Sequence, residues 1–111
     1  MNAYMLNLGL ESLHVRMQRH CENGMAVAKF LEAHPKVAYV NYCGLESSPY
    51  HALAQKYLPS GSCGVVSFGL AGGREAASTF MKELKLAAIE THVADARTPV
   101  SYTHLTLPTK A

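Results

Sequence analysis

Charge is scarce in this chain: only 16% of its 111 residues are Asp, Glu, Lys or Arg, and the formal net charge is +2. So small a balance gives no electrostatic reason to bind nucleic acid or a membrane surface. There is no run of basic residues and no tract that interleaves basic with aromatic ones. The three cysteines, Cys21, Cys43 and Cys63, form no CxxC pair. That argues against a zinc site or a redox pair and for free thiols in a reducing compartment. No apolar run approaches the roughly 20 residues of a membrane span. The N-terminus lacks the charged and apolar regions of a secretory signal. No internal repeat, linker or second domain is visible. These absences point to a cytoplasmic protein without nucleic-acid or membrane partners.

What is present is a globular composition, 49% apolar, of a length natural for one domain. Ser12 is placed to cap a helix. From there Leu13, Met17, Cys21, Gly24, Ala28 and Leu31 recur at steps of three and four, so they share one helical face. The pattern stops before His34-Pro35, because proline disfavours helix at the residue before it. A helix of about twenty residues results, longer than usual for a globular domain. Residues 2–11 read as a short helix that bends into the long one near Gly9.

Val37–Tyr42, rich in β-branched and aromatic residues, reads as a strand. Ser47 or Ser48 then caps a helix over residues 49–58, with Pro49 in its first position. Cys63–Leu70 is a second strand, apolar enough to suggest burial on both faces. Gly72-Gly73 turns into a helix from Arg74 to about Leu84, with Ala77, Phe80, Met81 and Leu84 inside. Leu86–Val93 reads as a third strand. The alternation predicts an α/β fold, a sheet with helices packed on one face.

Candidate sites are few. Gly69–Gly73 joins a strand to a helix, where amides can hold an anion, but it is neither GxGxxG nor a Walker loop and reads as a tight turn. The six histidines include no pair at the i, i+4 spacing of a zinc helix, so no metal site is expected. His92 stands beside Asp95 and Arg97 at a strand end, where α/β ligand sites collect. Cys43 and Cys63, in or beside strands, read as buried inert thiols. Arg16 and Arg19 with Glu22 read as a solvated, salt-bridged face. The residues alone reach no reaction; they allow a free-standing ferredoxin-like α/β ligand-binding or regulatory domain.

Several motifs, in order, resemble a known family. They are Asn2–Leu6, Gly9–Leu13, Arg16–Asn23, His34–Val37, Val40–Tyr42, Gly44–Ser47 with Pro49-Tyr50-His51, and Lys56–Pro59. Gly64–Gly69 with Gly72–Ala76, and His92–Thr98, complete the series. Together they look like the start of the C-terminal domain of the Cys/Met-metabolism pyridoxal-phosphate enzymes, nearest to the branch acting on O-acetylhomoserine.

The resemblance implies a partial small C-terminal domain of a fold-type I enzyme over residues 1–98. The intact enzyme would carry pyridoxal 5'-phosphate, which supplies the electron sink while sulfide replaces acetate on O-acetylhomoserine, yielding homocysteine for methionine biosynthesis. Cystathionine synthases and lyases share the architecture. A small-molecule substrate and a homotetramer are implied for the intact enzyme. The family's cofactor lysine, pyridine-nitrogen aspartate and phosphate-binding residues lie upstream of the matched region, and its substrate-carboxylate arginine downstream. The fragment is therefore expected to be inactive, with no catalytic or cofactor-binding residues of its own.

Of the residues present, only Thr91, His92 and Val93 align with a segment lining the family's pocket; Asp95, Arg97 and Thr98 would orient that loop. Residues 1–11 read as the cut end of a connection, with Met1 an internal start. The tail 99–111 does not look like the family and is expected to be non-native, of the kind that translated sequencing-adapter DNA produces.

Overall fold

Ser12 divides the two N-terminal helices, α1 (Asn2–Glu11) and α2 (Leu13–Glu32). The computed structural model describes residues 1–89 and 99–100 of the chain. These fall into two units, one spanning Met1–Ala71 and one beginning at Gly72.

In the first unit α2 has the expected length, 20 residues, and its apolar stripe faces inward. Gly24 and Ala28 are buried, and Leu13, Cys21, Met25 and Leu31 are half-buried. Met17 departs from the stripe and remains 40% exposed. The chain bends at Ser12 (φ −101°, ψ 4°) and not at Gly9, which lies within α1. Nor does Ser12 cap α2 through its side chain. Its Oγ instead accepts from Arg16 Nε at 3.0 Å, while Arg16 Nη2 donates to the Gly9 carbonyl at 2.6 Å. Arg16 is thus taken from the expected salt-bridged face to tie the two helices. Arg19 and Glu22 do pair, at 3.2 Å, but both are well exposed, so the pair contributes little stability.

Strand β1 (Val37–Asn41) and strand β2 (Ser67–Leu70) form an antiparallel pair. Tyr39 faces Gly69 and Val40 faces Phe68, with an irregularity in register between Val37 and Tyr39. Beyond the ladder, Ala71 N–H donates to the Lys36 carbonyl at 2.9 Å. The second strand is shorter than the expected Cys63–Leu70. Cys63 has φ 154°, and its thiol donates to the Val65 carbonyl two residues on, a local turn that keeps this stretch out of the ladder. Nor is β2 buried on both faces: Ser67 is exposed and Phe68, Gly69 and Leu70 are half-buried. A two-stranded sheet leaves each strand an open edge.

Between the strands runs α3 (His51–Tyr57). Pro49 precedes it, and Tyr50 holds the cap position without a side-chain bond. Ser48 Oγ accepts instead from the Tyr50 amide at 3.3 Å, closing a turn ahead of the helix rather than capping it. Tyr50, Leu53, Ala54 and Tyr57 fall at helical spacing along one apolar face, yet of these only Ala54 is buried, and Tyr50, Leu53 and Tyr57 stay more than half exposed.

The core is small: Ala28, Tyr42 and Leu45, with Met25, Val40, Cys63 and Val66 packed against them. Burying Leu45 contributes about 2 kcal/mol. Gly24 sets the fit, because a Cβ there would lie 2.8 Å from the Cys63 carbonyl and 3.2 Å from the Tyr42 hydroxyl. The helix therefore rests on main chain.

In the second unit α4 (Gly73–Glu83) begins at Gly73, which takes φ +62°, a conformation open to glycine without penalty. Met81 is buried, Ala77 and Leu84 are half-buried, and Phe80 is 37% exposed. The third strand, β3, is described only as Ala88–Ile89, paired in parallel with β4 (Pro99–Val100). Of the expected Leu86–Val93 strand, Leu86 and Ala87 form a bend ahead of β3, with Leu86 94% exposed, and residues 90–93 lie outside the described residues. Among the described residues the strands form two separate two-stranded sheets. They make a small α/β structure and not the four-stranded sheet of a ferredoxin-like domain.

Candidate functional site

Thr91, His92 and Val93, with Asp95, Arg97 and Thr98, lie outside the described residues. The Gly72-Gly73 turn is described, with Gly72 at the cap position of α4 and no side-chain cap bond. Glu75 occupies the first turn of α4, and a carboxylate there opposes a bound anion by occupying the positive end of the helix dipole.

The described residues do form a cavity of about 350 Å³ in the first unit. Cys21 and Met25 of α2, Tyr42 and Cys43 beyond β1, and Ala54 and Leu58 at α3 line it. Its volume falls at the low end for small-molecule sites. Sequence reading missed it, because its wall is assembled from separated segments with no shared motif.

Tyr42 organises this wall. It is 3% exposed, and its hydroxyl donates to the Cys63 carbonyl at 2.8 Å, with the Cys21 carbonyl 3.4 Å away. Burial pushes its phenol above the ordinary value. The thiols of Cys63, Cys21 and Cys43 add to that rise, and the hydrogen bond to Cys63 opposes it. All three thiols are free and half-buried rather than buried. Cys21 Sγ lies 2.8 Å from where a Cβ on Gly61 would stand, so α2 meets the second strand's approach at bare backbone here too.

His51 is also anchored. Its Nδ1 bonds the Cys43 carbonyl at 3.3 Å, and Gln55 Nε2 approaches its Nε2 at 3.4 Å. The amide donating to Nε2 requires the proton on Nδ1. His34 Nδ1 accepts from the Lys36 amide. Among the described residues no cluster of His, Cys, Asp or Glu could hold a metal ion, and no helix is long and apolar enough to cross a membrane.

A pyridoxal phosphate needs a lysine amine for its aldehyde, a carboxylate for its ring nitrogen and donors for its phosphate. The donor set here does not fit. Lys29, Lys36, Lys56, Lys82 and Lys85 are all exposed, and none lines the cavity. The cavity offers thiols, a thioether and an aromatic ring instead.

The sequence matches the family described as Cys/Met metabolism PLP-dependent enzyme over residues 1–110, a span that runs past Thr98. It is 47% identical over 109 residues to homocysteine synthase of Schizosaccharomyces pombe, covering 95% of this chain and 25% of that protein. It is 44% identical over 106 residues to O-acetyl-L-homoserine sulfhydrylase 1 of Thermus thermophilus, covering 92% of this chain and 25% of that protein. Cystathionine gamma-lyase of Sus scrofa is 43% identical over 111 residues, at 96% and 27% coverage. The chain thus spans about a quarter of the length of the curated relatives it matches.

Proposed function

The chain belongs to the Cys/Met-metabolism PLP-dependent enzymes, and on that premise we propose that it is part of an enzyme making homocysteine from O-acetylhomoserine and sulfide. The observation that carries the reading is the 47% identity to a homocysteine synthase. A second relative named for O-acetylhomoserine sulfhydrylation, at 44%, supports it.

In this reading the chain supplies part of the small C-terminal domain of a fold-type I enzyme, cytoplasmic and homotetrameric when intact. Thr91, His92 and Val93 line its substrate pocket. The cofactor's electron-sink chemistry comes from parts of the enzyme that these residues do not supply. What the described residues contribute is a scaffold: α2 laid against main chain at Gly24 and closed by the Tyr42 hydrogen bond.

The test is a pair of chimeras. This chain replaces the matching quarter of the fission-yeast homocysteine synthase in one, and of the pig cystathionine gamma-lyase in the other. Homocysteine formation from O-acetylhomoserine and sulfide, and cleavage of cystathionine, are then measured against each parent. The proposal expects the first chimera to keep its parent's kcat/KM within about tenfold and the second to lose at least about a hundredfold. Full activity in the lyase chimera with none in the synthase chimera overturns it. Within the active chimera, His92→Ala should raise KM for O-acetylhomoserine.

A further inference from the structure

The i, i+4 spacing that no histidine pair shows is met by Cys21 and Met25. They stand one turn apart on α2, so they share a face, and both line the cavity of the first unit. Cys43, just beyond the end of β1, lines it as well. Two thiols and a thioether thus border one space. Cys21 Sγ lies 2.8 Å from where a Cβ on Gly61 would stand. A Cβ on Gly44 would stand 2.8 Å from Met25 Cε and 3.0 Å from Ser62 Oγ. The thioether end therefore rests beside the residue that follows Cys43, and the Cys21 thiol against the residue that precedes Ser62. The sulfurs gather where α2, the end of β1 and the Gly61-Ser62 segment meet.

The harder groups of the same wall have other partners. Glu22 pairs with Arg19 at 3.2 Å and accepts from Gln18 at 3.2 Å. Gln55 Nε2 approaches His51, and the Tyr42 hydroxyl donates to the Cys63 carbonyl. Among the described residues no lysine, arginine or histidine lines the cavity, so no side chain there repels a cation. Zinc takes four ligands drawn from imidazole, thiolate and carboxylate, and among the described residues not even three such groups gather. Thiolate joined by thioether selects soft ions instead.

We propose that Cys21, Met25 and Cys43 form a three-sulfur site for a soft monovalent cation, with copper(I) as the ion that fits. Each thiol gives up its proton as its sulfur ligates, so one copper(I) displaces two protons to solvent and keeps its oxidation state. Met25 closes the site, because its three rotatable bonds let the thioether swing onto the ion. Cys63 stays outside: its thiol donates to the Val65 carbonyl, and it does not line the cavity. The inference does not rest on the reaction proposed above.

The test is an anaerobic titration of copper(I) into the 111-residue chain, with bicinchoninate as the coloured competitor. One ion should bind per chain, with release of about two protons. Alkylation by iodoacetamide, followed by peptide mapping, should slow at least about tenfold at Cys21 and Cys43 when copper is bound, because the ligated thiolate is no longer a free nucleophile. The rate at Cys63 should not change. This measurement uses the unaltered chain, so it does not depend on how a variant folds. Equal protection of all three cysteines overturns the proposal, since any pair of thiols then suffices. A chain that takes no copper from bicinchoninate overturns it too. Met25→Leu keeps the volume and should weaken copper binding at least about tenfold, whereas Cys63→Ser should leave it as it was. Unchanged affinity in Met25→Leu removes the thioether and with it the three-sulfur site. Displacement of copper(I) by an equal concentration of zinc also counts against it.

Discussion

Tyr42 and Cys63, far apart in sequence, are joined by a 2.8 Å hydrogen bond from the phenol hydroxyl to the main-chain carbonyl. The bond closes the end of β1 onto the approach to β2 beneath α2. Tyr42→Phe keeps the ring and removes the donor, leaving a half-buried carbonyl without this partner. The expected loss is about 1–2 kcal/mol, read as a lower denaturant midpoint with an unchanged slope. A variant as stable as the parent would show that water replaces the hydroxyl.

The same phenol makes stability depend on alkaline pH. Burial raises its pKa above the ordinary 10.0, which the unfolded chain retains. Below pH 10.0 both states hold the proton and its contribution is complete. Above it the unfolded chain releases the proton first, so stability falls as pH rises toward the folded-state value. Denaturation midpoints from pH 9 to pH 11.5, about the range that brackets tyrosine ionisation, should fall more steeply for the parent than for Tyr42→Phe.

Gly24 and Gly9 give opposite outcomes for one substitution. A Cβ at Gly24 would stand 2.8 Å from the Cys63 carbonyl, whereas nothing lies within 4 Å of one at Gly9. Gly24→Ala should therefore cost about 1–3 kcal/mol through overpacking. Gly9→Ala, in a helix interior with free space, should add about 0.5–1 kcal/mol. Thermal unfolding of the two variants should move in opposite directions.

Arg16→Ala should loosen the joint between α1 and α2 with little effect on the core, because its two bonds reach only Gly9 and Ser12. Amide exchange across residues 2–11 should quicken while exchange within residues 20–31 holds. The change in global stability should be no more than about 1 kcal/mol, since these bonds are exposed.

Much of this was legible in the sequence where one strong pattern decided the outcome. The period from Leu13 to Leu31 defined α2 within a residue or two, and Val37–Tyr42 stood out by β-branched and aromatic content, one residue longer than β1. Local cues were weaker wherever a side chain had a competing partner. Ser12 looked like a cap but serves Arg16, and Ser48 closes a turn before α3 instead of capping it. Cys63 looked like strand but turns back on Val65. The cavity was invisible because it depends on which separate segments meet around Tyr42. The family was legible through its ordered motifs, although Thr91, His92 and Val93 fall outside the described residues.

The two strands of the antiparallel pair are separated by residues 42–66, and that connection carries Tyr42, Leu45 and Ala54 of the core. Such a pair cannot nucleate as a tight hairpin. Closing a loop of that length costs entropy before any ladder bond repays it. The hydrogen bonds of α2 are local, so the expected order is that α2 gathers first, residues 42–66 condense on it, and the strands zip last. Destabilising changes at Tyr39 or Phe68 should then speed unfolding far more than they slow folding. In that order the sheet, the long-range ladder of this unit, would be the final step in its assembly.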